Sequence, residues 1–381
     1  MLKHTFGLAF LLSMAACASA QTQGSIGTTG TGSTTQPTVI AVASDVPPPP
    51  WADGVAATDA VPAGRYGPSA ASTVYLGSGV YQNNPERDIS ATNITGPDAE
   101  FVRLYRTSLV AVGYASPGLS PGWSHNYDTR ITASSEAGWG KLTLIWYNGA
   151  KEELIPVLKD GSPTGEMKPT GAPYIATGQP TTSPGRWNWF MLSFTHRDRW
   201  IFSPDTNNPN VYRLRRITAT TGDPIDIAYD AAGRISKVTQ SDGKLLLGLA
   251  YDANRYLSTA TTYDQAGKPV TQVRYAFGPV GGITCLIAVS QVNRPEVVRW
   301  AYGYTAIGGR PFMNSVGVPN PSGKAELSVA YINYDPNGRV TSMVDANRNQ
   351  RRYTYGGGGT KVEVRDPSGK VDDTWVQKVG R

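Results

Sequence analysis

Cysteine and histidine are nearly missing from this chain. Its 381 residues include Cys 2 and His 3. So few cysteines cannot build a disulfide framework, and no His/Cys cluster stands at the spacing a zinc ion needs. Charge is sparse as well, at 17% of residues, and no block of three or more consecutive Lys or Arg occurs. The formal net charge of +6 is scattered. Its densest stretch, His196-Arg197-Asp198-Arg199 through Arg213, Arg215 and Arg216, is interleaved with acidic residues. That pattern reads as a solvated strand face and not as a nucleic-acid footprint. Outside the extreme N-terminus, no long stretch places apolar residues at helical spacing. What the chain does have is Gly 42, Pro 28, Tyr 20 and Trp 9. Gly and Pro set turns, while aromatic and β-branched side chains fit pleated surfaces, so the expected fold class is all-β.

The N-terminus has the grammar of a secretory signal: basic Lys3 and His4, an apolar run from Phe6 to Met14, and small residues at Ala18-Ser19-Ala20. The run is too short to span a bilayer. Cleavage after Ala20 is expected, giving a chain exported to the periplasm, the outer membrane or the medium. The rival is lipidation of Cys17, because Met14-Ala15-Ala16-Cys17 resembles a bacterial lipoprotein box. Membrane contact would then run through an N-terminal lipid anchor alone. Loss of residues 1–20 removes Lys3, takes the formal charge from +6 to +5, and leaves Cys285 as the sole cysteine. Cys285 sits in an apolar run, Ile283 to Val289, and reads as a buried small hydrophobe.

Four segments follow from composition: a signal over 1–20, a linker over 21–73, a β domain over 74–204 and a repeat sheet over 205–381. The linker is Gly/Thr/Ser/Gln-rich up to about Ser44 and then carries Pro47-Pro48-Pro49-Pro50, so it reads as a disordered tether with a stiff extended spacer. In the β domain, Phe101 to Arg106, Lys141 to Tyr147 and Trp187 to Phe194 read as strands. Lys159 to Pro184 is turn-rich and reads as a long connection.

The C-terminal part repeats itself. Tyr229-Asp230-Ala231-Ala232-Gly233-Arg234-Ile235 returns as Tyr334-Asp335-Pro336-Asn337-Gly338-Arg339-Val340, with looser copies at Tyr251-Asp252 and Tyr263-Asp264. In each, Tyr-Asp should end a strand, Asp should accept turn N–H groups, Gly should take the left-handed conformation, and Arg or Lys should open the next strand. A second signature interleaves: Arg274-Tyr275-Ala276-Phe277-Gly278, Arg299-Trp300-Ala301-Tyr302-Gly303 and Arg352-Tyr353-Thr354-Tyr355-Gly356. Side chains alternate faces along a strand, so the two aromatics of each copy share a face and the Arg lies opposite. Units that cannot bury their own apolar face must stack. The expected architecture is an extended antiparallel sheet of tandem hairpins forming a curved partial shell.

These cassettes resemble the YD repeats of bacterial RHS proteins. The segment from about Val74 to Ile131, with Phe101 to Arg106 and Gly122-Trp123-Ser124-His125-Asn126-Tyr127-Asp128, resembles the domain that precedes such repeats. The resemblance implies a β-sheet spiralling into a hollow shell around a C-terminal toxin, closed by an aspartate-dependent self-cleavage site, in proteins of interbacterial competition. Carbohydrate binding has also been attributed to such repeats. This sequence departs from the pattern: it has few repeats, its nearest string to the cleavage motif, Asp366-Pro367-Ser368-Gly369-Lys370, lacks the following Leu, and only a dozen residues come after Gly369. Toxin delivery and autoproteolysis therefore do not carry over; the chain is expected to be either the front piece of a split or truncated larger protein or a short stand-alone relative, and the stop soon after a repeat favours the first.

No catalytic, cofactor or metal site is nominated. Ser124 and His125 are adjacent and point to opposite faces of a strand, so they form no nucleophile–base pair; His125 and Asp128 are expected to tie down the turn around Trp123. Asp335 and Asp345 offer oxygens at alternate positions but lack the closing Glu of a calcium loop, and read as turns. Should the aromatic face be open, Tyr275, Phe277, Trp300, Tyr302, Tyr353 and Tyr355 would form a strip for stacking on sugar rings; the alternative is that it is the packed face. The reading is thus a non-catalytic exported scaffold, partnered by a further RHS or toxin polypeptide or by a cell-surface glycan. Its rivals are a carbohydrate- or protein-binding module and a hydrolase of envelope polymers.

Overall fold

The computed structural model describes residues 73–378, apart from 76–78, 84–85, 95, 134–137, 170–173, 195–197, 220–221, 293, 320–325, 346 and 357–358. The expected signal with Cys17, the linker as far as residue 72, and His196 lie outside the described residues.

The fold is nearly all β and antiparallel throughout its registers. Two short strands, β1 (Thr73–Tyr75) and β2 (Val80–Gln82), pair with each other. A small sheet follows: β3 (Glu86–Ala91), β4 (Ala99–Tyr105) and β5 (Trp123–His125), in the order β3-β4-β5. Between β4 and β5 lies the one-turn helix α1 (Thr107–Ala111), and Asn126–Asp128 make a 3-10 turn after β5.

Next comes a ring of strands: β6 (Arg130–Ala133), β7 (Leu142–Ile145), β8 (Lys151–Lys159), β9 (Ser162–Pro169), β10 (Tyr174–Pro180), β11 (Trp187–Phe194), β12 (Arg199–Pro204) and β13 (Val211–Thr218). Each pairs with the next, and the ring closes where Val211, Tyr212 and Arg213 of β13 pair with Thr132, Ile131 and Arg130 of β6. A barrel of this size is filled by its own side chains. Here aromatics fill it: Phe190 meets Tyr212 at 4.7 Å between ring centroids, Trp187 meets Phe190 at 5.1 Å, and Trp146 meets Tyr174 at 5.9 Å. Residues 159–184 therefore correct the sequence reading. They carry β9 and β10 and are not a long connection. Pro163, Gly165 and Pro169 argue against a strand on propensity, and the ladder to β8 supplies what propensity lacks.

The far half of β13 pairs onward with β14, and a meander continues to the end: β14 (Ile225–Tyr229), β15 (Ile235–Gln240), β16 (Leu245–Tyr251), β17 (Leu257–Tyr263), β18 (Pro269–Val280), β19 (Ile283–Gln291), β20 (Arg294–Ile307), β21 (Arg310–Pro319), β22 (Glu326–Tyr334), β23 (Val340–Asp345), β24 (Gln350–Gly356), β25 (Gly359–Arg365) and β26 (Val371–Lys378). Ring and meander are one continuous sheet, so pairing runs across residue 204. One face of the meander, from Ile225 through Val289 and Val316 to Val362, is buried. It packs on residues 79–129, which form a single hydrophobic core with it.

The repeat period has a geometric reason. The cassettes at Asp230, Asp252 and Asp335 turn the chain at one end of the sheet, after β14, β16 and β22. The cassette at Asp264 turns it at the opposite end, after β17. A step of two strands returns to the same end, whereas a step of one strand does not.

Candidate functional site

Two arrangements recur along the meander where it meets the N-terminal segment. The first is a clasp at the cassette turns. The Asp230 carboxylate accepts the N–H groups of Ala232 and Arg234, both at 2.9 Å, and the Arg234 Nε at 2.7 Å. Asp335 does the same for Asn337 and Arg339, at 2.9, 2.9 and 2.7 Å. Gly233 and Gly338 sit at φ 74 and 79, where a side chain would be strained. Held by the Asp, each guanidinium lies over the tyrosine of the next hairpin: Arg234 over Tyr251 at 4.2 Å, Arg339 over Tyr355 at 4.9 Å. Those tyrosines donate their O–H groups to Ile235 O at 2.7 Å and Val340 O at 2.6 Å. Each repeat thus grips its neighbour by a cation–π contact, worth about 0.5–2 kcal/mol, and by a hydrogen bond. Where Tyr256 replaces the Arg, Phe277 replaces the Tyr, and the two rings stack at 4.8 Å. The pair changes together, so the contact between neighbours is kept while its chemistry switches from cation–π to stacking.

The second arrangement lies at the bulges. The register shifts at Tyr251, Phe277, Tyr304 and Tyr334 leave the opposite residues on β17, β19, β21 and β23 with an N–H turned out of the ladder. The N-terminal segment supplies an acceptor for each. Leu257 N–H meets Gly118 O at 2.8 Å, and Leu286 N–H meets Ser120 Oγ at 2.9 Å. Met313 N–H meets Tyr105 Oη at 2.8 Å, and Val340 N–H meets Gly79 O at 3.0 Å. A buried unpaired N–H costs about 1–3 kcal/mol, so these four bonds fix where residues 79–120 lie on the sheet.

At the centre of that contact is a buried ionic cluster. Register places Glu86 of β3 opposite Arg103 of β4. Arg103 is fully buried, donating from Nε and Nη2 to Asp88 (Nη2 to Oδ1 at 2.8 Å) and from Nη2 to Glu86 Oε2 at 3.0 Å. Its guanidinium lies over the Trp123 ring at 4.6 Å. From the meander, Tyr302 donates its O–H to Glu86, and Tyr275 donates to Asp88 Oδ2 at 2.8 Å. Burial works against the guanidinium charge, but Asp88, Tyr302 and Glu86 hold the Arg103 pKa above its ordinary value. Burial pushes the Glu86 carboxyl up to about 7, against the pull of Arg103 and Tyr302 and with help from Asp88.

The residues nominated for sugar stacking fall on this packed face. Tyr275, Tyr302 and Tyr353 are buried, with Tyr275 against Phe101 at 6.2 Å and Tyr302 against Trp123 at 4.8 Å. Phe277, Trp300 and Tyr355 are half-buried against the same core. Arg274 and Arg352 lie exposed on the opposite face, as alternation requires. The Arg299-Trp300-Ala301-Tyr302 cassette sits two residues out of step with Arg274-Tyr275-Ala276-Phe277. Its structural counterpart at the bulge is Tyr302-Gly303-Tyr304, and Tyr304, missed in the sequence, donates to Leu286 O at 2.6 Å and accepts from Trp123 Nε1 at 2.9 Å.

Ser124 and His125 are both buried, with no partner for Ser124 Oγ or His125 Nδ1. Burial lowers the imidazole to about 4, with Asp128 opposing and Arg213 assisting. Asp128 accepts from Tyr114, Ser116 and Arg130, so it is Asp128 that ties the turn. The Asp335 and Asp345 carboxylates are occupied by their own turns. Cys285 is buried and its thiol pushed up to about 12. Among the described residues no group of three or more His, Cys, Asp or Glu is placed to hold a metal ion. Glu86, Asp88 and Arg103 were not singled out in the sequence. Their one signal was charge at alternate positions of β3, Glu86 and Asp88, and an Arg between apolar residues of β4.

Comparison with known proteins fits this geometry at the second clasp. Residues 334–371, from Tyr334 through the turns at Asp335, Asp345 and Asp366, match the family model described as RHS Repeat. The chain carries an RHS repeat. No curated protein matches it. Among solved structures, the N-terminal domain of the effector protein SpvB from Salmonella typhimurium strain LT2 is similar at 11% identity and a TM-score of 0.38, covering 54% of this chain and 99% of that one. TcdB2-TccC3 is similar at 11% identity and a TM-score of 0.37, covering 81% of this chain and 20% of that chain. This RHS-repeat chain thus spans about a fifth of the length of TcdB2-TccC3.

Proposed function

We propose that the chain is a non-catalytic exported scaffold, the N-terminal part of an RHS-type enclosure or surface structure, joined to a further RHS or toxin polypeptide in interbacterial competition. One observation carries this reading. The repeat sheet is assembled by self-propagating clasps, and its inner face is set by backbone bonds to the chain's own residues 79–120 and not by a reactive group. Such a sheet contributes a wall. Its starting shape is fixed by the N-terminal segment, and each clasp presents the next repeat. The test is co-expression with the polypeptide encoded beside it, followed by size-exclusion chromatography and limited proteolysis. Co-elution with protection of the partner supports the scaffold; separate elution with an unprotected partner contradicts it.

A groove of about 420 Å³, lined by Ile307, Asn314, Asn333, Tyr334, Asp335 and Pro336, favours a second reading, a module binding cell-surface carbohydrate or protein. Glycan-array binding abolished by Asn314→Ala in a folded protein would favour it over the scaffold.

A further inference from the structure

The cluster between β3/β4 and the meander holds one guanidinium and two carboxylates out of water. Among the described residues, four side chains face Glu86. Asn83, which precedes β3, donates to it, Asp88 shares its strand, Arg103 comes from β4, and Tyr302 comes from β20. Asp88 in turn receives Tyr275 from β18, and the Arg103 face is covered by Trp123 from β5. With both carboxylates ionised, the cluster carries a net negative charge at a place where the N-terminal sheet and the repeat sheet share polar side chains across a dry contact. A single proton makes it neutral. Uncompensated buried charge is costly, whereas a neutral hydrogen-bonded cluster is not.

We propose that Glu86 is a proton-operated latch between the N-terminal sheet and the repeat sheet: protonated, it holds them together, and ionised, it loosens the junction. The elevated Glu86 carboxyl, at about 7 against an ordinary 4.5, puts the change in the range between an acidified and a neutral compartment. Because the folded value is the higher one, the stabilisation is complete below the unfolded value and is lost as pH rises through the folded one. The latch does not depend on whether the chain is a scaffold, and its test leaves that reading untouched.

The experiment is hydrogen exchange on the full chain, corrected for intrinsic amide rates, following peptides of β3, β4, β18 and β20 in the wild type and in Glu86→Gln. Dividing one protein by the other cancels titrating groups not coupled to Glu86, His125 included. From about pH 5.5 to about pH 8.5 the opening of the wild type relative to the variant should grow about thirty-fold, the ratio that values of 4.5 and about 7 give. A relative opening that stays constant within about twofold overturns the latch. Should Glu86→Gln fail to fold, infrared spectroscopy of the wild type decides: a protonated carboxylic-acid band that persists at about pH 6 and disappears on raising the pH through about 7.5 supports it, and no such band at about pH 6 overturns it.

Discussion

Replacing Arg103 by Met keeps most of the buried volume and removes the cation. Arg103 donates to Asp88 from two nitrogens, to Glu86 at 3.0 Å and to the Tyr302 oxygen at 3.1 Å. Summing these as charge-assisted bonds would give roughly 6–12 kcal/mol. That sum is too large, because bonds that share one cation are not additive. Removing one partner of a buried ion pair leaves the other charge uncompensated. Glu86 adds little, since its carboxyl is already raised to about 7 in the wild type. The expected loss is therefore about 4 kcal/mol at neutral pH, within the ~3–5 kcal/mol seen when one partner of a buried ion pair is removed. That is a large share of a domain's typical ~5–15 kcal/mol. The loss should shrink on acidification, because a protonated carboxyl needs no counter-charge. Urea unfolding followed by tryptophan fluorescence at neutral and acidic pH measures it. A loss below about 1 kcal/mol at neutral pH, or one that grows on acidification, would refute the reasoning.

Three further outcomes are expected. Burial lowers His125 to about 4 from an ordinary 6.5, so the unfolded chain takes up its proton first, and stability present above about 6.5 is lost as pH falls towards about 4. Thermal melts of His125→Gln should show a flatter acid limb than the wild type, and equal limbs would remove His125 from the account. Gly338→Ala meets both a left-handed backbone at φ 79 and the Phe312 ring at 2.7 Å, so urea midpoints should report a loss of about 2 kcal/mol; Arg255→Gly, at φ 70 on an open turn, should instead gain about 1 kcal/mol. Asp335→Ala strips two turn N–H groups of their acceptor and frees Arg339, which should cost about 1–2 kcal/mol in the same assay, whereas a neutral result would mean the clasp contributes nothing.

Much of the fold was legible in the sequence. The Tyr-Asp-x-x-Gly-Arg cassettes fixed the turns because their chemistry is local: Asp accepts N–H groups two and four residues on, and Gly takes the positive φ. The alternation around Tyr275 and Tyr353 correctly separated buried from exposed faces. Two things were hidden. The strands β9 and β10 have weak propensities and exist through their ladders, which are tertiary. The ionic cluster is more hidden still: Glu86 and Arg103 look like ordinary surface charges until register sets them opposite each other and the meander, some two hundred residues on, closes over them with Tyr302. A bulge cannot be read from spacing either, which is why the Trp300 cassette was aligned two residues away from its counterpart at Tyr304.

Site-resolved amide exchange at Leu257, Leu286, Met313 and Val340 tests the central claim most directly, because each of these N–H groups points out of its ladder and onto residues 79–120. If the N-terminal segment sets the inner face of the repeat sheet, all four should exchange as slowly as the core strands, through global unfolding. Exchange at the rate of exposed turn amides would show the segment is not seated there, and the account would fail.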